Sequence, residues 1–260
     1  MVRVLLFGCL AVTVATGCKT TDTGTELTEP DYASDAETNL AQGNEALESK
    51  NFLDAERYFE YVRSKYPFLE ASKHATLRLA DLDFERERYL EARDRYRSFV
   101  KLYPTHPKVD YAAFRAALTH YKDMPSDFFL LPRPKQKDQA EVKSTLAAMQ
   151  DFVRNFPKSP FVEEAQKLVD ESRRRLAEHE MSVAEFYRDQ KRWPGVVGRY
   201  KKVVAEYSGV GFDEEALFGL YEAYLQLNDS AQAKKTLETI VERLPGTGAA
   251  TKAQRLLGKG

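Results

Sequence analysis

Apolar residues recur along this chain at offsets of four and three, followed five residues later by a helix stop. Ala55, Phe59, Val62 and Pro67 form the first set. Ala92, Tyr96, Phe99 and Pro104 form the second. Thr145, Met149, Phe152 and Pro157 are a weaker third, and Val196, Tyr200, Val203 and Ser208 a fourth without proline. Ala233, Leu237, Ile240 and Pro245 complete the series. Steps of three and four put each set on one face of a helix. Proline ends it, having no N–H and clashing with the preceding turn. Upstream lies a second matched series: Gly43 and Ala46; Leu79, Ala80 and Asp83; Ala184 and Tyr187; Leu220, Tyr221 and Tyr224. Each unit therefore predicts two helices whose small residues let the backbones approach.

A period near 34 residues with this pattern marks stacked helix–turn–helix units. The expected fold is all-α: a right-handed superhelical α-solenoid of about five TPR-like repeats. Phe52, Tyr89 and Trp193 share the position entering the second helix, which makes Trp193 a packing residue. The stops lie 37, 53, 51 and 37 residues apart. The first long interval predicts a helix over 109–123, then a proline-rich loop, 124–137, with an apolar tip at Phe128 to Leu131. The second runs from Phe161 to Gln190 without proline or glycine, predicting a single helix of about eight turns that joins the two halves. It starts at the cap signal Ser159-Pro160. The expected divisions are a signal peptide (1–17), a tether (18–35), N-terminal repeats (36–157) and C-terminal repeats (158–260).

The N-terminus follows a different pattern. Arg3 precedes an apolar run, Val4 to Ala15, of signal-peptide length and too short to span a bilayer. Val14-Ala15-Thr16-Gly17-Cys18 reads as a lipobox, with Cys18 the lipidated mature terminus. The alternative, an ordinary secretory peptide, leaves Cys18 a lone thiol. The second cysteine, Cys9, lies inside the removed run, so no internal disulfide is available to the mature chain. Residues 19–34 are polar and predict a disordered tether.

Composition narrows the function. Charged residues make up 30% of the chain, yet the formal net charge is −1. That balance argues against nucleic acid as a partner. No glycine-rich phosphate loop, G-x-S-x-G or H-E-x-x-H motif occurs. The four histidines, His74, His106, His120 and His179, are dispersed, so neither metal nor cofactor is expected, and no enzyme activity. Arg173-Arg174-Arg175 reads as a solvated helix face or a dock for an acidic surface. A repeat array builds a binding surface. Leu40, Asn44, Leu47, Leu77, Asp81 and Phe84 fall on first-helix faces not used by the ruler. They either line a concave peptide site or are covered by the neighbouring helix; periodicity leaves both open. Arg188, Arg192, Trp193 and Arg199, near the end of the long helix, are candidates for docking a partner through its carboxylates.

Two stretches carry a family resemblance. Tyr103-Pro104-Thr105-His106-Pro107, with Val109-Asp110-Tyr111, is similar to the loop entering the third repeat of the BamD family. Met181-Ser182-Val183-Ala184-Glu185-Phe186-Tyr187, running on to Trp193, Val196, Val197 and Arg199, resembles the same family, as do Arg63 and Tyr66-Pro67-Phe68. The likeness covers residues 36–245 and includes both long intervals. It is weaker at the 124–137 loop and at Ser208. It implies a non-catalytic lipoprotein of the β-barrel assembly machine, anchored in the inner leaflet of the outer membrane and facing the periplasm. Lys19, not Asp, after the cysteine favours the outer membrane by similarity to enterobacterial sorting. The implied partners are the periplasmic domain of a BamA-type insertase, unfolded outer-membrane protein clients and other lipoproteins of the machine. The alternative is a periplasmic repeat protein coordinating cell-wall synthesis with constriction, of the CpoB type. That type carries an N-terminal coiled coil, for which this chain has no heptads.

Overall fold

The structure, a computed structural model, describes residues 30–124 and 139–258. The signal peptide, Cys18 and most of the 124–137 loop lie outside the described residues. Among the described residues are eleven helices and no strand. Five hairpins follow in order: α1 (Ala36–Glu48) with α2 (Phe52–Lys65), α3 (Glu70–Glu85) with α4 (Tyr89–Leu102), α5 (Val109–Lys122) with α6 (Ala140–Asn155), α7 (Val162–Asp189) with α8 (Trp193–Glu206), and α9 (Asp213–Gln226) with α10 (Ser230–Arg243). A last helix, α11 (Gly248–Leu257), follows. Each helix packs on the next, which makes the fold a TPR-like α-solenoid.

The apolar ruler is the core. Every second-helix residue named from it is buried, from Ala55, Phe59 and Val62 to Ala233, Leu237 and Ile240. The helices end two residues before each stop. An aromatic or leucine C-cap (Tyr66, Tyr103, Phe156, Tyr207, Leu244) returns its N–H to the last ruler residue in all five units. The fourth unit manages without proline. There Ser208 Oγ donates to Asp213 at 2.6 Å and Gly209 takes φ +85°, turning the chain out of the helix.

Four of the hairpin turns are identical. Lys50, Glu87, Lys191 and Asn228 each adopt φ of 56–60°, and each following residue donates its N–H to a carbonyl five residues back. These paired turn bonds satisfy the carbonyls left over at a helix end. Phe52, Tyr89 and Trp193 open the helix that follows. The long helix is present as α7, 28 residues. Its first half (Ala165, Leu168, Val169) packs with the second and third hairpins, and its second half (Leu176, Ala177, Met181, Ala184) with the fourth and fifth.

Two expectations need correction. The tether was expected to run to residue 35, but the fold takes hold at Tyr32. Its ring stacks on Tyr61 at 4.1 Å, Ala33 exchanges hydrogen bonds with Asn39, and Ser34 accepts from Tyr66. Tyr32 has an apolar surface to cover, which a reading by polarity alone passes over. The second correction is α11, whose start is capped by Thr247 accepting from Ala250 N–H and whose alanines cover the end of the fifth hairpin. The division at 157/158 falls inside one core cluster, because α7 shares that core with α4 to α6.

Candidate functional site

The first-repeat candidates separate by role. Leu40, Leu47, Leu77 and Phe84 are all more than nine-tenths buried. Leu40 and Leu47 pack against α2 and α3, while Phe84 lies under the Arg115 guanidinium at 3.7 Å. The two polar candidates are tied into the fold. Arg78 donates to Asn44 Oδ1 and to Asp81 Oδ2, both at 2.8 Å, linking α1 to α3. Asp81 Oδ1 accepts from the Tyr96 and Tyr111 hydroxyls at 2.5 and 2.8 Å. Burial, then the charge of Asp81, raises the Tyr111 phenol above its ordinary range.

Leu77 and Asp81 do reach a groove. With His74, Arg78, Lys108 and Tyr111 they line a cavity of about 290 Å³ between α3 and the start of α5. Leu77 and Tyr111 give it apolar surface, Arg78 and Asp81 pair with each other, and Lys108 adds a further basic group. The Lys108 ammonium makes no ion pair among the described residues. Lys108 and Tyr111 lie just after the 103–107 loop, at the start of α5, and only the folded chain brings them to α3.

The same loop supplies a convergence that dispersal in sequence concealed. Glu70, His74 and His106 bring ligand-type atoms within 4.8 Å of one another. His106 Nε2 lies 2.7 Å from Glu70 Oε1, and its Nδ1 accepts from the Lys108 N–H at 3.0 Å. The Nδ1 lone pair is therefore used, the ring proton sits on Nε2, and the imidazole donates to Glu70. A metal on Nε2 would require the hydrogen on Nδ1, pointing at the hydrogen of Lys108. The arrangement suits a latch between α3 and the 103–107 loop, not a metal centre.

At the other end, Arg188 and Trp193 share a cleft of about 150 Å³ with Val196, Gly219, Glu222, Leu225 and Gln226. Arg188 and Leu225 are exposed at its rim. Arg192 and Arg199 face elsewhere: both guanidiniums lie within 6 Å of the Tyr187 ring. Arg199 and Lys202 donate to buried Glu180 at 2.8 and 2.6 Å. Burial of Glu180 works to raise its pKa, but those two bonds outweigh it and the carboxyl stays below its ordinary value. Arg199 is thus a partner of this chain's own carboxylate.

Comparison with known proteins follows the same lines. The family described as "YfiO: Outer membrane lipoprotein" matches residues 33–254. The chain belongs to this family. Relatives named outer membrane protein assembly factor BamD include that of Caulobacter vibrioides, 27% identical over 215 residues, covering 83% of this chain and 68% of that protein. The Vibrio cholerae protein of that name is 27% identical over 236 residues, covering 89% and 94%. Among solved structures, the TPR2AB-domain:pHSP90-complex of yeast Sti1 overlaps 86% of this chain and 84% of that one, with a TM-score of 0.43 and 14% identity. The YfiO match begins at Ala33, one residue after the fold takes hold at Tyr32, and no described helix is long and apolar enough to cross a membrane.

Proposed function

We propose that this chain is a lipid-anchored component of an outer-membrane β-barrel assembly machine, acting as a non-catalytic scaffold and client receptor. Membership of the YfiO family and the shared name of the relatives carry the reading. Cys18 would hold the lipid, with the folded part on the periplasmic side of the inner leaflet. The 36–157 repeats would receive clients and the 158–260 repeats would dock on the periplasmic domain of a BamA-type insertase. The deciding experiment is affinity purification of the tagged chain from detergent-solubilised envelopes. A BamA-type protein should co-purify, and its absence from a preparation that retains other membrane partners would sink the reading.

The client surface is better sought in the α3–α5 groove than along the buried Leu40, Leu47 and Phe84. An extended peptide presents a side chain on the same face about every 6.6 Å. Tyr111 offers apolar contact beside Leu77, which is itself almost wholly buried, while Lys108 stands ready for a terminal carboxylate. A client C-terminal peptide titrated against Lys108→Glu should bind about tenfold more weakly, a change of about 1.4 kcal/mol. Equal binding by a C-terminally amidated peptide would remove the carboxylate from the argument. For the insertase contact, Arg188 in the Trp193 cleft is the residue to reverse. Arg199 is unsuitable, because its reversal strands Glu180.

A further inference from the structure

We infer that the 66–69 loop is a membrane-surface contact, with Phe68 as an apolar anchor entering the lipid headgroup boundary; this rests on the lipoprotein reading above. Phe68 is 97% exposed and Leu69 beside it 49%. Single exposed apolar residues are ordinary on protein surfaces, but Phe68 is the most exposed large apolar side chain among the described residues, well above Leu102 at 64%. Its slot in the ruler sharpens the point. The residue following the stop is Thr105, Lys158, Gly209 or Gly246 in the other four units. Packing requires nothing apolar there, and only the first unit places a phenylalanine.

The occupant follows from position, charge and form. Tyr66 donates to the Ser34 carbonyl at 2.9 Å, so the loop sits where the folded chain begins. Ser34 lies sixteen positions after Cys18, a reach of at most about 55 Å. An anchor at Cys18 therefore keeps this loop, of all the inter-repeat loops, closest along the chain to the bilayer. Arg63 and Lys65 lie in the last turn of α2, just before the loop; Arg63 pairs with Glu60, and Lys65 makes no ion pair among the described residues. Exposed basic residues beside an aromatic and a leucine suit an anionic headgroup layer. Phe68 protrudes almost wholly into solvent, so it inserts and does not receive.

The test uses the full lipid-bearing chain with Phe68→Cys labelled by a nitrobenzoxadiazole fluorophore. Thr105→Cys, in the equivalent slot, and Gly246→Cys, at the far end, are the comparisons. Lipid-modified Cys18 does not react, so each variant carries one probe. In phosphatidylethanolamine–phosphatidylglycerol vesicles, emission at 68 should rise at least twofold over detergent-free solution and be quenched by headgroup-region nitroxide lipids. Emission at 105 and 246 should stay unquenched. A probe at 68 as unquenched as that at 246, on vesicle-bound protein, overturns the inference. Quenching at 68 only after adding a soluble periplasmic partner also overturns it, in favour of a protein contact. Intact mass on the same samples keeps the two readings apart: an unmodified Cys18 overturns the lipoprotein reading itself and this inference with it.

Discussion

Gly43 and Gly219 show how closely the helices approach. A Cβ on Gly43 would lie 2.6 Å from the Phe59 ring, and one on Gly219 would lie 2.5 Å from the Tyr200 ring. Both rings are fully buried, so neither can swing aside. Gly43→Ala should therefore destabilise the chain by about 1–3 kcal/mol despite alanine's better helix propensity. A urea midpoint equal to wild type would show that the first hairpin can open without cost. The four left-handed turn residues make the opposite prediction. A non-glycine residue there costs about 1–2 kcal/mol, and glycine's greater chain entropy returns about half. Glu87→Gly or Lys191→Gly should thus stabilise by about 0.5–1 kcal/mol, measured by the same titration. At Glu180 the prediction concerns pH. Its folded pKa is below the ordinary 4.5, so the stability it contributes is present in full above that value and lost as pH falls through the folded pKa. The stability gap between wild type and Glu180→Gln should be constant from neutral pH to about 5 and close at lower pH. A gap that widens on acidification would contradict the Arg199–Glu180–Lys202 arrangement.

At the scale of elements, α7 decides whether the array behaves as one body. Its two halves belong to different core clusters, joined among the described residues by the continuity of the helix and by Leu146 of α6, which touches both. Arg174 is exposed midway along it. A proline there removes a backbone bond and clashes with the preceding turn, at about 3 kcal/mol. Arg174→Pro should split one cooperative urea transition into two. Trp193, the only tryptophan, reports the C-terminal half, and circular dichroism reports all helices, so the two signals should coincide in wild type and separate in the variant. Coincident curves in Arg174→Pro would mean that the cores couple through side-chain packing. The helix itself was legible because 28 residues of helix formers without proline or glycine admit little else. The α11 helix was not, since its apolar face consists largely of alanines that stand out only against the surface they cover.

For the whole molecule, the proposed function draws on three surfaces: the α3–α5 groove, the Trp193 cleft and the loop at Phe68. The sequence by itself determined the repeat architecture, the order of the helices of the five hairpins, the long joining helix and the family. These follow from local rules, namely apolar spacing, small residues at close approach and proline stops, which act within a turn or two of chain. Tertiary structure alone decided which candidate residues are free to act. Leu40 and Leu47, like Leu77 and Phe84, lie seven residues apart, and periodicity cannot say whether a neighbouring helix covers that face; here all four are buried. Asp81, Asn44 and Arg199 look like ligands until their partners 15 to 34 residues away are in place. His74 and His106 lie 32 positions apart and meet only because α3 and the 103–107 loop are neighbours in space. Long-range pairing consumes hydrogen-bonding capacity and exposure, and neither is written in the local pattern.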